Sequence, residues 1–183
     1  MDFQKEQLYH IYNRGNNKEK IFYNNRNYIY FQEKLQNHIS RLTDILAYCL
    51  MPNHFHLLTH IRPDIDTNRL NDSIAIILRS FTRAINLQEN RTGSLFQQKT
   101  RAKIVTQCGF VCLNYIHQNP LRAGLTDKLE DWEFSSFKEY IGKSDLNLCN
   151  VDLAKKILLL PDGDEFYKLS YSTINIELIQ KMY

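Results

Sequence analysis

The sequence predicts an α+β fold: a ferredoxin-like βαββαβ sheet with helices packed on it, a further helix after the unit, and a C-terminal helical appendage. Three observations predict it. Four short segments rich in aliphatic and aromatic residues have strand length, and two of them are separated only by Met51-Pro52-Asn53. Two longer segments between them repeat apolar residues at three- and four-residue steps. The resulting order, strand, helix, strand, strand, helix, strand, is that of the ferredoxin-like unit.

The elements follow in chain order. Residues 7–13 form a strand, with Leu8, Tyr9, Ile11 and Tyr12 as strand formers, and Arg14-Gly15-Asn16-Asn17 makes the turn that closes it. Residues 25–41 form an amphipathic helix on which Tyr28, Phe31, Leu35 and Ile39 share a face. Residues 43–50 are a mostly apolar run and form a central strand. Pro52 breaks it, and residues 54–61 return as the second arm of a hairpin. Leu70, Ile74, Ile77, Leu78, Phe81 and Ile85 mark a long helix over 66–90, which Arg91-Thr92-Gly93-Ser94 ends. Residues 101–105 form a short strand. Thr106 is the expected N-cap of a helix over 107–119, which Pro120 should stop because it lacks the N–H and disfavours helical geometry before it. From Ser144 the composition changes, with short helices expected over 151–160 and 174–183. The domain boundaries are therefore 1–143 and 144–183.

Composition bounds the function. The chain has 183 residues, 43% hydrophobic and 23% charged, which excludes wholesale disorder. No run of eighteen apolar residues and no apolar signal core is present, so a cytoplasmic, nucleoid-associated protein is expected, without a membrane partner. The four cysteines include no C-x-x-C pair and read as reduced, buried thiols. The net charge of +3 is unevenly spread: residues 1–125 carry 16 Lys and Arg against 9 Asp and Glu, residues 126–183 carry 7 against 11. The stretch 90–126 holds Arg91, Lys99, Arg101, Lys103 and Arg122 and no acid, as a phosphate-facing surface requires. A solvated face with a chance gap in acids gives the same pattern. No P-loop, G-x-G-x-x-G or G-x-S-x-G is present, which counts against nucleotide hydrolase, dehydrogenase and esterase chemistry and against a nucleotide cofactor.

Two motifs carry chemistry. His54 and His56 are i and i+2 on a strand and point to one face, with Phe55 turned away. Such a pair can supply two metal ligands from rigid backbone, or be two half-buried histidines without a ligand. His60 lies on the same face but too far along to join. Tyr115 and Asn119 are i and i+4 on a helix, and Tyr115 and Gln118 are i and i+3, so either carboxamide can neighbour the phenol. That arrangement suits a nucleophile beside a third ligand, and equally a core tyrosine near a helix end.

Four motifs in order sharpen these readings: Tyr9-His10-Ile11-Tyr12-Asn13-Arg14-Gly15-Asn16-Asn17, Ala47-Tyr48-Cys49-Leu50-Met51-Pro52-Asn53-His54-Phe55-His56-Leu57-Leu58, Gly93-Ser94-Leu95-Phe96-Gln97, and Tyr115-Ile116-His117-Gln118-Asn119-Pro120-Leu121-Arg122-Ala123-Gly124-Leu125. The sequence resembles the single-tyrosine HUH transposases, in particular the REP-associated tyrosine transposases of bacteria. The resemblance spans residues 8–142 and includes Trp132 and Ser135-Ser136. Ser94 stands where many members have His, and the basic residue expected soon after Gln97 is Lys99.

The resemblance implies a ferredoxin-like fold and single-stranded DNA with a hairpin or inverted repeat as partner. It implies Tyr115 as nucleophile, His54 and His56 as metal ligands, and a third ligand from the tyrosine helix, Asn119 by its i+4 position with Gln118 as fallback. It implies Mg²⁺ or Mn²⁺ as cofactor, and nicking and rejoining through a 5′-phosphotyrosine. Asn13, Arg14, Asn16, Lys99, Arg101, Lys103 and Arg122 are the candidate DNA contacts. A domesticated protein that binds a DNA or RNA hairpin without cutting is the alternative. A monomer is expected in preference to a dimer.

Overall fold

The computed structural model describes residues 1–105, 108–175 and 177. Strands β1 (Leu8–Arg14), β2 (Thr43–Met51), β3 (His54–Ile61) and β4 (Arg101–Ile104) form one sheet in the order β2-β3-β1-β4, antiparallel throughout. Tyr12 lies opposite His56 in β3 and opposite Arg101 in β4, so the central strands are locked in register around the site described below.

The alternation of β1 and β3 sends two sets of side chains to two layers. Tyr9, Ile11, Phe55 and Leu57 are buried under α1 (Asn25–Lys34) and α2 (Thr67–Gln88). Leu58, with Ala47, Cys49 and Met51 of β2, is buried on the other face under α3 (Gly109–Arg122), α4 (Phe137–Tyr140), α5 (Val151–Leu158) and α6 (Gly163–Ser170). The caps of α1 and α2 are local. Asn24 and Asn27 exchange side chain–backbone bonds, and the Asp66 side chain accepts from the Asn68 N–H.

The first helix is shorter than its periodicity implies. It is α-helical only to Lys34 and continues as a π-helical turn over Leu35–Ile39, where the Ser40 N–H reaches back to the Leu35 carbonyl. The wider turn keeps Leu35 and Ile39 both buried. The expected stop before Pro120 is also corrected. α3 runs through Pro120 to Arg122, and the Ala123 N–H bonds the Asn119 carbonyl. A proline in the last turn removes only one intrahelical bond, and Gly124, at φ +67°, then closes the end with its N–H on the Leu121 carbonyl. The N-cap expected at Thr106, and the helix start at Gln107, lie outside the described residues, as does nearly all of the helix expected over 174–183. Helix α6 had no counterpart among the expected elements.

Residues 134–136 cover the open edge of β2. The Leu50 N–H donates to the Phe134 carbonyl, the Ser136 N–H to the Tyr48 carbonyl, and the Trp132 indole to the Leu50 carbonyl at 3.0 Å. Helices α5 and α6 pack on α3. A side chain at Gly109 would meet the Leu158 methyl of α5 at 2.4 Å, so glycine lets the start of α3 approach α5 without displacing that leucine. Phe166 of α6 stacks on Tyr140 with centroids 5.2 Å apart. The four cysteines are free: Cys49 and Cys112 are buried, Cys108 and Cys149 half-buried. No helix among the described residues is long and apolar enough to cross a membrane.

Candidate nucleic-acid and metal site

The site is assembled on the α3 face of the sheet. His54 and His56 reach it from β3, and their rings lie 4.9 Å apart, nearly perpendicular at 85°. Helix α3 crosses above and brings in Tyr115 and Asn119 from successive turns. The Tyr115 ring stands 5.7 Å from that of His56, at 82°. Arg14 at the end of β1, Arg101 on β4 and Lys99 in the segment before β4 complete the wall. Together these seven side chains line a cleft of about 490 Å³. Among the described residues all of its charged groups are cations and none is a carboxylate, which favours an anionic ligand.

Both histidines are neutral donors at physiological pH. Burial, then the nearby Arg14 charge, pushes His54 down to about 4 against a weaker opposing hydrogen bond with Asn119. Burial, with His10 and His54 alongside, holds His56 well below the ordinary histidine range. His54 Nδ1 lies 2.6 Å from Asn53 Oδ1, and the Asn53 amide nitrogen is held by the Lys18 carbonyl at 3.1 Å. Nδ1 of His54 is therefore the protonated nitrogen, and Nε2 carries the lone pair. The Asn119 amide nitrogen donates to the Tyr115 carbonyl at 2.8 Å, which assigns its oxygen to the side shared with His54. No group of three His, Cys, Asp or Glu side chains that could hold a metal occurs among the described residues. A cation here would take two imidazoles and a carboxamide oxygen. That neutral set fits a divalent ion whose remaining ligands are phosphate oxygens.

The other candidates separate by position. Gln118 is turned away from the cleft: its amide nitrogen donates to the carbonyls of Ser170 and Ser172, at 2.8 and 2.9 Å. Asn13 borders the cleft, but its amide is committed to holding the strand approach. The nitrogen donates to the Gln97 carbonyl and Thr100 Oγ1, and the oxygen accepts from the Arg14 N–H. Asn16 donates to the Ser94 carbonyl at 3.0 Å. Lys103 lies on β4 opposite His10, outside the cleft lining, and Arg122 is exposed at the end of α3, also outside it. His60 is remote and lies 3.7 Å from Asp44. Gly15 shapes the rim. A Cβ there would sit 2.1 Å from the Glu19 carbonyl oxygen, so the turn after β1 closes only without a side chain.

Three residues that line or support the cleft lie inside the motifs but were given no role by them. Tyr12 and Gln97 are in its wall. Burial raises the Tyr12 phenol and the adjacent Tyr115 adds to this, while Arg101 opposes it. His10 lies behind His56, with Nε2 at 2.8 Å from Nδ1. Alternation along β1 could have found His10 and Tyr12, because it puts both on one face, as it does His54 and His56. A second groove of about 880 Å³, lined by Arg79 and Arg83 of α2, adjoins the cleft through Asn13, Gln97 and Lys99.

Comparison with known proteins agrees with this architecture. The family described as "Transposase IS200 like" matches residues 3–119. A Haemophilus influenzae protein named "Putative REP-associated tyrosine transposase" is 27% identical over 105 residues, 51% of this chain and 58% of that protein. The match thus spans just over half the length of that relative. A solved structure described as a REP-associated tyrosine transposase bound to a REP hairpin superposes with a TM-score of 0.61 at 19% identity, over 80% of this chain and 87% of that one. The two chains share a fold.

Proposed function

The chain belongs to the IS200-like transposase family, and from that membership and the cleft we propose that it nicks and rejoins single-stranded DNA beside a hairpin through a 5′-phosphotyrosine. The observation that carries the proposal is the convergence of Tyr115, two neutral histidines and Asn119 in one cleft whose charged groups, among the described residues, are all cations. The hairpin is inferred from the ligand of the structural neighbour and the name of the curated relative.

Each part of the reaction falls to a named group. Arg14, Lys99 and Arg101 draw the scissile phosphate into the cleft. His54, His56 and Asn119 would hold a Mg²⁺ or Mn²⁺ ion. That ion, when bound, would polarise the phosphate and offset the weakness of a phenol, whose ordinary pKa of ~10 makes it a poor nucleophile at neutral pH. Tyr115 Oη attacks phosphorus, the new bond is P–O(Tyr), and the bond to the 3′-oxygen breaks. The 3′-oxygen leaves and takes up a proton, while the phenolic proton passes to solvent. The tyrosyl ester retains the phosphodiester energy, so a second 3′-hydroxyl can attack it, restore the phenol and join strands without ATP. The Arg79–Arg83 groove continues the cleft and supports a path for the DNA that flanks the scissile bond.

The test is a covalent trap. A hairpin-bearing single strand labelled at its 3′ end, incubated with protein and Mn²⁺, should yield a labelled protein–DNA adduct that survives denaturation. Hairpin binding without an adduct under any divalent metal would favour a non-cleaving hairpin-binding protein and reject the enzyme.

A further inference from the structure

We propose that His10 is a positioning residue for His56: its Nε2 accepts the Nδ1 proton of His56 and so directs the His56 Nε2 lone pair to the cation in the cleft. The proposal rests on the reading of His54 and His56 as metal donors and adds to it a role for His10, a residue of the first motif that had none.

The contact is short and sealed. His10 Nε2 and His56 Nδ1 are 2.8 Å apart, and the two residues are 0% and 1% exposed. Their ring centroids are 5.0 Å apart and their planes 22° from parallel. That separation is close to the N···N distance plus the radii of both rings. The nitrogens therefore lie nearly on the line between the centroids, and the rings meet edge to edge through a hydrogen bond rather than face to face. Strand register makes this reproducible. Tyr12 pairs with His56 and His10 with Leu58, so His10 is the diagonal neighbour of His56 on the same face.

Only one proton sits between the two nitrogens. If His10 supplied it, a neutral His56 would carry its own proton on Nε2 and have no lone pair there. If His56 supplies it, Nε2 of His56 is the unprotonated nitrogen. Only the second arrangement lets His56 bind a metal, because its other nitrogen is already engaged. His54 shows the same device with a different acceptor, Asn53 Oδ1 at 2.6 Å from Nδ1. Each histidine is thus held at Nδ1 by an acceptor from its surroundings, one a carboxamide and one a second imidazole. A ligand held this way loses affinity for its metal by about 10- to 100-fold when the partner is removed.

The experiment uses the full chain and Mn²⁺ as the probe. His10→Phe keeps a buried ring and removes the acceptor, while His10→Gln restores one. Expected are a 10- to 100-fold weaker Mn²⁺ affinity by calorimetry in the first, partial recovery in the second, and unchanged hairpin DNA binding without metal in both. A folded His10→Phe protein that binds Mn²⁺ as the wild type does overturns the proposal. Nitrogen-15 NMR of the metal-free wild type supplies an arm independent of folding in the variants. It should find the His56 proton on Nδ1, and a proton on Nε2 overturns the proposal. A wild type that binds no Mn²⁺ rejects the metal reading itself, while the NMR arm still judges the His10–His56 bond.

Discussion

Tyr115 stands edge-on to His56, with ring centroids 5.7 Å apart and planes 82° from parallel, although the two residues come from α3 and β3 and are 59 positions apart. Two short-range periodicities meet there: the two-residue repeat that brings His54 beside His56 and the four-residue step that brings Asn119 beneath Tyr115. A second phenol, Tyr12, lines the same cleft, so the assignment of the nucleophile is a comparison between two tyrosines.

Replacing each in turn decides it. Tyr115→Phe should bind a hairpin-bearing strand as the wild type does and form no covalent adduct. Tyr12→Phe should still form the adduct, because burial raises the Tyr12 phenol and disfavours its ionised form. Denaturing gels of the 3′-labelled trap read both outcomes. An adduct in Tyr115→Phe that disappears when Tyr12 is also replaced would move the nucleophile to β1.

The third ligand separates by direction of the side chain. Asn119 lines the cleft, whereas Gln118 ties α3 to the α6 end through two carbonyls. Asn119→Ala should raise the Mn²⁺ concentration needed for half-maximal cleavage by at least tenfold with little change in melting temperature. Gln118→Ala should leave that concentration unchanged and cost about 1–3 kcal/mol of stability, since the buried Ser170 carbonyl loses its donor. Metal titrations of cleavage, paired with urea unfolding, distinguish the two.

Binding should depend steeply on salt. Arg101 lies in the cleft beside Tyr12, and Arg83 lines the adjoining groove. Removing either should lower the slope of log K against log salt by about 0.7, the contribution of one phosphate contact on a single strand. Arg83→Ala should show this only with oligonucleotides whose flank is long enough to enter the groove. Fluorescence anisotropy at three salt concentrations measures it. An equal loss with a bare hairpin would place the groove on the duplex and not on the flank.

The sequence disclosed most where the signal is local. Strand alternation paired His54 with His56 and helical spacing paired Tyr115 with Asn119 or Gln118, the family resemblance joined the two pairs into one site, and the order of elements was enough for the sheet. Non-local terms hid the rest. His10 matters through a diagonal contact that exists only once β1 pairs with β3 in a given register. Asn13 and Asn16 were read as DNA contacts because their amides can donate to phosphates or read exposed bases. In the fold their amides hold residues 94–100 in place. Pro120 misled because the rule against interior proline weakens in the last turn of a helix, where few bonds remain to lose. Helix α6 is only eight residues long, which gives its periodicity little room to show, and it is fixed by packing of Phe166 on Tyr140 and by the bonds that Asn114 and Gln118 make to its carbonyls.

Acid stability tests a part of the fold remote from the cleft. His117 is fully buried on α3, and its Nε2 lies 2.8 Å from Ser136 Oγ. The Ser136 hydroxyl donates to the Tyr48 carbonyl and accepts from the Tyr48 N–H, so His117 Nε2 is the donor toward it. The proton of neutral His117 is thereby spent, and Nδ1 has no hydrogen-bond partner among the described residues. A second proton on Nδ1 would be buried without an acceptor, and burial pushes His117 down to about 3. The unfolded chain takes up this proton as pH falls through ~6.5, and the folded chain does not until about 3. The stabilisation is therefore complete above the unfolded value and is lost as pH falls, by about 1.4 kcal/mol per unit once pH is well below ~6.5. His54, held down to about 4, adds a loss of the same sign that ends one unit earlier. His117→Gln removes one proton from this linkage. Urea unfolding at pH 7, 5.5 and 4.5 should show its stability falling less steeply than the wild type by about 1.4 kcal/mol per unit between the two lower values. Parallel slopes in the two proteins would mean that His117 takes up its second proton as readily in the folded state as in the unfolded one.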